Sequence, residues 1–522
     1  MKSPAGLQRF HLVVVILVVG AAIALAGVAA GAGESSRATA PKRGGHLTIA
    51  RREDSQSFDL TSVFQNESIW PGEQIMEPLY VNTPDGKGLR PWLATSYKAS
   101  KDGKTYTFHL RRGVRFSNGR GMTAADVKFS IDQSRAATKG WGYIDQAIKR
   151  VVATNPRTVV IHLKYKWAPF LSDISTFSNA IVPKGYLGQT KKEFYKHPVG
   201  TGPFMWDKRV VGRTVTLKRN PYYWQKGKPY LDGVTFSFVS DDNTRELQLR
   251  GGQIQVDEFP PFTTVAKLQN TPGIVLKLFP STRTDYLLMN EHYPPLKDKH
   301  VRRAISWAID RAGIVKSVLA GNGRPANSFI PPGLPCYNAK TPGAKFSISR
   351  AKAELANSKF PKGFKVEMVV ASGDHVHNAI GQVLQQAVKP LGIIVTFKQV
   401  DSSTEYADIQ QGKYQLGISY WQNDNIDPDE LATFAVDPKG GANSWFTGYS
   451  NPRVTALVHQ AQHETRPAVR CRLYAKMQNL AAQDAFAGFL YYSPFPYAYS
   501  NKVHGFHVSP LGNFHLEDVW LG

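Results

Sequence analysis

The chain of 522 residues and 57.9 kDa can hold at least two substantial cores, since single cores stop growing near ~250–300 residues. With 42% hydrophobic and 20% charged residues it is neither fibrous nor disordered. The formal charge of +24 raises nucleic acid as a partner, but Lys and Arg are spread from Lys42 to Lys502 rather than gathered on an arm, which argues against it. Attraction to anionic membrane surfaces, a preference for acidic ligands and an unspecific solvated surface all remain open as meanings of the charge.

Lys2 and Arg9 precede an apolar run from Leu12 to Ala30, and Ala30-Gly31-Ala32 offers an export cleavage site. A signal peptide over 1–32 is therefore expected, and losing Lys2 and Arg9 lowers the charge from +24 to +22. The run is also close to the ~20 residues that span a bilayer, so the alternative is an uncleaved anchor on the outer face of the cytoplasmic membrane. Neither Cys336 nor Cys471 is near the signal, which leaves no lipobox cysteine and favours a soluble periplasmic protein. No later segment is long and apolar, which excludes a membrane permease.

Residues 33–43 read as a flexible leader. Strands follow at Gly45 to Ala50, Thr105 to Leu110, Thr158 to Leu163, Phe204 to Val211, Thr214 to Lys218 and Val234 to Val239, with few helices between them. One of those helices opens at Thr123 with Asp126 three residues on, a capping box. Beyond about Asn290 the pattern turns helical. Val301, Ala304, Ile305, Ala308, Ile309, Ala312, Val315 and Val318 predict one helix ended by Gly321 and Gly323. Phe364 to Val370, Val376 to Leu391 and Ile393 to Val400 then read as a right-handed βαβ unit.

The two cysteines are few for an exported protein, so the core must be hydrophobic rather than stapled. A Cys336 to Cys471 bridge and two separately buried thiols are both compatible with the spacing. Tyr414 to Trp421 is a nearly continuous apolar strand that runs into Gln422-Asn423-Asp424-Asn425-Ile426-Asp427-Pro428-Asp429. Ligands in α/β sheets bind beyond the carboxyl ends of strands, which is where this acidic loop falls. Asp427 and Asp429 read as caps of the next helix. His375 and His377 open a helix, where two ligands spaced by two are too few for a metal site. Arg302 and Arg303 read as the solvated face of a structural helix rather than a carboxylate clamp. No P-loop, nucleophile elbow or H-E-x-x-H occurs, so no enzyme activity and no cofactor are expected, and transport must borrow an ATPase.

Five strings in order carry a family resemblance: TAADVKFS (Thr123 to Ser130), PVGTGPFMWDKRVVGRTVTLKRNPYYW (Pro198 to Trp224), VRRAISWAIDRAGIVKSVLAGNGRPANSFIPPG (Val301 to Gly333), NSWFTGYSNP (443–452), and the end from Phe489 to Leu521. Together they resemble family 5 of the extracytoplasmic solute-binding proteins, the dipeptide, oligopeptide and nickel binders of ABC importers. The resemblance implies an α/β, two-lobed, type 2 periplasmic binding protein of the cluster C kind. Lobe I, strand-rich, would span 44–285 and 490–522, and lobe II, α/β, would span 286–489, with a two-crossing hinge. It further implies a monomer that captures di- or oligopeptides by cleft closure and delivers them to an inner-membrane permease and its ATPase. Oligosaccharides, opines and metal chelates are the alternatives on the same fold, and a secreted hydrolase or a tethered sensor the alternatives outside it.

In peptide-binding members the Asp at the position of Asp424 pairs with the ligand's α-ammonium, and the Trp at the position of Trp421 lines a side-chain pocket. By the same resemblance His375 or His377 would meet the peptide carboxylate. Tyr420 and, from lobe I, Glu77 complete the expected lining.

Overall fold

The computed structural model describes residues 40–343, 345–440 and 447–522. The expected signal peptide, most of the leader and the first residues of the NSWFTGYSNP string lie outside the described residues.

Two sheets form the framework. A seven-stranded sheet has the order Ile274–Phe279, Phe495–Ser500, Val256–Glu258, His46–Arg51, Gly233–Phe238, Thr214–Arg219, Phe204–Val210. A six-stranded sheet has the order Arg324–Pro325, Ala487–Tyr492, Thr284–Met289, Leu416–Trp421, Lys365–Ala371, Ile394–Val400. The chain passes from the first sheet to the second through residues 280–283 and returns through 493–494, against boundaries expected at 285 and 490. The two-lobed α/β expectation holds, with a third feature that the periodicity did not separate. Ala94–Ala99, Thr105–Leu110, Thr158–Leu163 and Ile148–Asn155 make an antiparallel sheet of their own, packed over Phe108, Val127, Ile131 and Ile161 in a distinct apolar cluster.

The PVGTGP turn owes its glycines to close backbone approach. A Cβ on Gly200 would sit 2.0 Å from the Ile75 carbonyl oxygen, and one on Gly202 would sit 2.4 Å from that of Gln74. With no side chain in the way, Gly202 N–H donates to Ile75 O (2.8 Å) and Phe204 N–H to Gln74 O (3.0 Å). The hairpin Phe204–Val210 and Thr214–Arg219 is thereby fixed to the end of the helix Asn66–Glu73.

The βαβ unit is present: Lys365–Ala371 pairs in parallel with Ile394–Val400 from Lys365↔Ile394 to Ala371↔Val400, with the helix His375–Val388 between them. The single helix expected from Val301 to Val318 is two, Lys299–Ala308 and Arg311–Ser317. Apolar spacing runs through the break, but Asp310 accepts from the Gly313 N–H at 2.9 Å and starts a new helix. Arg302 is not on a solvated face. It is buried, donates to the carbonyls of Leu296, Lys297, Asp484 and Ala485, and pairs with Glu291 at 3.2 Å, so it ties its helix to the return strand. Arg303 donates to Gln483 O.

Cys336 and Cys471 are bridged, with Cα atoms 4.6 Å apart across 135 residues of sequence. The bond fastens the loop after Arg324–Pro325 to the helix Pro467–Asp484, which also carries the groups that hold the acidic loop. Closing so long a loop restrains the unfolded chain, so the double substitution Cys336→Ser, Cys471→Ser should lower stability by ~2–4 kcal/mol. Denaturant unfolding checks this: reductant should reproduce the loss in the wild type and add nothing to the double variant.

Candidate functional site

The strand Leu416–Trp421, the helix Asn66–Glu73 with the segment before it, and the helices His375–Val388 and Ser402–Gln410 meet around a space of about 700 Å³. Tyr420, Trp421, Asp424 and His377 line it, together with Arg52, Glu53, Glu67 and Glu405. A second space of about 640 Å³ adjoins it, sharing Arg52, Glu67, His377 and Tyr420, and reaches Arg283 of the first crossing and Tyr491 of the strand Ala487–Tyr492.

Trp421 ends its strand with its ring stacked on Phe434 at 3.8 Å between centroids, and its indole is hydrogen-bonded to the Glu430 carboxylate. Tyr420 holds its ring under the Arg283 guanidinium at 3.9 Å, and its hydroxyl accepts from Asn66 Nδ2 at 3.3 Å. These contacts fix both aromatic rings by their neighbours rather than by solvent.

The acidic loop divides into neutralised and bare carboxylates. Asp427 caps the helix Pro428–Val436 by accepting from Asp429 N–H, and Arg470 clamps it from the helix Pro467–Asp484 with Nη2 at 2.7 Å. Asp429 accepts from the Tyr474 hydroxyl at 2.8 Å. Both are spent on the fold. Asp424 is only 8% exposed, its N–H donates to Glu430 Oε2 at 2.7 Å, and its carbonyl accepts from Asn82. Its carboxylate forms no ion pair among the described residues. Burial, reinforced by the negative charges of Glu430 and Glu73, pushes it well above the ordinary carboxylate range.

Other acids around the space are raised for the same reason. Burial, with Glu53 adding repulsion, lifts Glu67 to about 8. Burial lifts Glu430 to about 8 and Glu405 to about 7. Arg52 is committed elsewhere, paired with Asp374 and, at 2.9 Å, with Glu53.

Of the expected lining residues the structure brings together Asp424, Trp421, Tyr420 and His377. His377 is buried, with Nδ1 2.9 Å from Asp374 and Nε2 3.8 Å from Asp285. His375 lies outside both spaces: it is exposed, with Nε2 3.3 Å from Asp241. Glu77 lines neither. Its carboxylate accepts from Trp92 Nε1 and Thr201 Oγ1 at 2.7 Å each and from Tyr223 and Trp224, so it is an internal anchor for the PVGTGP-to-YYW segment. Glu67, Glu405 and Glu430 were missed by sequence reasoning. Glu67 and Glu405 sit on helices that do not follow the strand whose end marks the site, and only Glu430, one turn past the cap Asp427, had a local cue. Among the described residues no three His, Cys, Asp or Glu side chains are grouped as a metal would need.

A model of the bacterial extracellular solute-binding proteins, family 5 (middle), matches residues 88–443. The chain is 30% identical over 443 residues to the glutathione-binding protein GsiB of Escherichia coli, covering 83% of this chain and 86% of that one. Among solved structures it resembles the ABC transporter-associated periplasmic binding protein DppA from Helicobacter pylori in complex with the peptide STSA (26% identity, TM-score 0.83), over 92% of this chain and 98% of that one. It also resembles the oligopeptide-binding protein AppA from Bacillus subtilis in complex with a nonapeptide (25% identity, TM-score 0.86), over 92% and 100%.

The raised carboxylates set a pH dependence whose sign is fixed. An acid at about 8 when folded and near ~4.5 when unfolded keeps its proton longer in the folded chain. That stability is complete below the unfolded value and is lost as pH rises through the folded one. The ligand-free protein should therefore lose of order a few kcal/mol between pH 5 and pH 8. Urea unfolding across that window checks it, and Glu430→Gln should flatten the slope.

Proposed function

The chain belongs to the bacterial extracellular solute-binding proteins of family 5, and we propose that its ligand is a short peptide with a free α-ammonium group. Capture takes place outside the cytoplasmic membrane, involves no chemistry on the ligand, and ends in delivery to an ABC permease. The observation that carries this reading is Asp424: a carboxylate 8% exposed, lining the space, faced by Glu430 and Glu73 and ion-paired to no cation among the described residues.

A buried charge of this kind is costly until a cation meets it. A peptide brings one, and its aromatic or aliphatic side chains find Trp421 and Tyr420 as walls. Glutathione, STSA and a nonapeptide, named with the relatives above, are all peptides, which supports the choice of class. The segments 280–283 and 493–494 serve as the hinge in this proposal, because they join the two sheets, and the first borders the adjoining space through Arg283. Closing about them excludes water from the Asp424 pair, so ligand binding and closure favour one another. His377 lines the same space with its ring nitrogens turned to Asp374 and Asp285, and in this proposal it borders the peptide rather than pairing with its carboxylate.

Asp424→Asn removes the charge and keeps the shape. It should weaken binding of free peptides by roughly 10² to 10³, the ~3–5 kcal/mol that a broken buried pair costs. Calorimetry with glutathione and a tetrapeptide, each free and N-acetylated, is the check. The wild type should reject the acetylated forms, and Asp424→Asn should discriminate far less. Equal wild-type affinity for free and acetylated peptides would remove Asp424 from this role and turn attention to sugars, opines or chelates.

A further inference from the structure

The ion pairs around the two adjoining spaces leave a remainder. Each arginine there is taken: Arg51 by Glu258 at 2.6 Å, Arg52 by Glu53 and Asp374, Arg245 by Asp257 at 2.9 Å, and Arg283 by Asp285 at 2.6 Å. Glu67 and Glu405 lie in the same lining, 7% and 5% exposed, and neither forms an ion pair among the described residues. Glu67 stands on the first turn of the helix Asn66–Glu73, and Glu405 on the helix Ser402–Gln410 across the space. They line the same space, and the nearest cation they share is Arg52, which is near enough to lower both but is itself ion-paired to Glu53 and Asp374, so one guanidinium faces four carboxylates.

We infer that Glu67 and Glu405 form a second cation-recognition pole, distinct from Asp424, that selects peptides carrying a lysine or arginine side chain. The inference rests on the peptide reading above and adds to it: Asp424 meets the backbone ammonium common to all peptides, whereas this pole reads a side chain. Several observations agree. Glu67 borders both spaces, so a long side chain extending from the first into the second passes it. Tyr406 and Tyr420 supply aromatic walls along which an aliphatic stem can lie while its charged end reaches the carboxylates. Burial raises both acids above their ordinary values, so without a cation they hold protons that an incoming ammonium or guanidinium displaces. The molecule as a whole is strongly cationic, so this preference runs against its net charge and belongs to the local lining. A guanidinium can bridge two carboxylates with its fork of donors, which makes arginine at least as good an occupant as lysine.

Calorimetry on the mature full-length protein tests the pole with three probes: Ala-Lys-Ala, its uncharged isostere with norleucine in the lysine place, and Ala-Glu-Ala. The same substitutions are made at the first and third places. At the place whose side chain reaches Glu67, lysine should bind at least tenfold tighter than norleucine, and glutamate more weakly than both. Glu67→Gln and Glu405→Gln should each bring the lysine-to-norleucine ratio toward one, whereas Asp424→Asn should weaken both peptides together and keep the ratio. The wild-type series decides the matter even where a variant does not fold. If tripeptides bind but norleucine equals lysine at all three places, the pole is wrong and the peptide reading stands. If no free tripeptide binds, both are overturned.

Discussion

A carboxylate taken out of water must find a cation, a set of hydrogen-bond donors or a proton, and that demand organises the interior of this protein. Glu258 finds Arg51 and Asp285 finds Arg283. Glu77 finds two tryptophans, a tyrosine and a threonine. Asp427 and Asp429 find Arg470 and Tyr474. Where the sheets and their helices border the 700 Å³ space, several carboxylates lie together without an ion pair among the described residues. Asp424, Glu67 and Glu405 are there, and each is held toward its neutral form mainly by burial. A lining that is unsatisfied by itself is a lining made for something else.

The framework explains how those groups are aimed. The glycines of the PVGTGP turn let one backbone lie against another at the end of the helix Asn66–Glu73, and that helix carries Glu67. Arg470 and Tyr474 pin the far part of the acidic loop, which leaves Asp424 at its near end facing the space. The disulfide and Arg302 brace the helix from which those anchors project. The two sheets are joined covalently by residues 280–283 and 493–494, the segments about which the proposed closure would turn.

Much of this was legible in the chain. Family motifs and strand patterns identified the two-lobed α/β fold, and the apolar run ending at Trp421 located the loop that bears Asp424. Period-two and helical spacing are local properties, so they survive without coordinates. What escaped was set by distance in sequence. Glu67 and Glu405 lie on helices more than three hundred residues apart, and no spacing rule joins them. Glu77 was expected to line the cleft from lobe I, yet its four donors come from residues 92, 201, 223 and 224. His375 and His377 share one helical turn, but one side chain points to the exposed Asp241 and the other into the space. Asp310 broke a helix that its apolar neighbours would have continued.

The central claim, that this lining awaits the free ammonium of a short peptide, is tested most directly by native mass spectrometry of the protein as purified, with fragmentation of whatever is released. The account predicts a carried-over peptide or peptide mixture with unblocked N-termini. A neutral oligosaccharide, an opine or a metal chelate released in its place would contradict it.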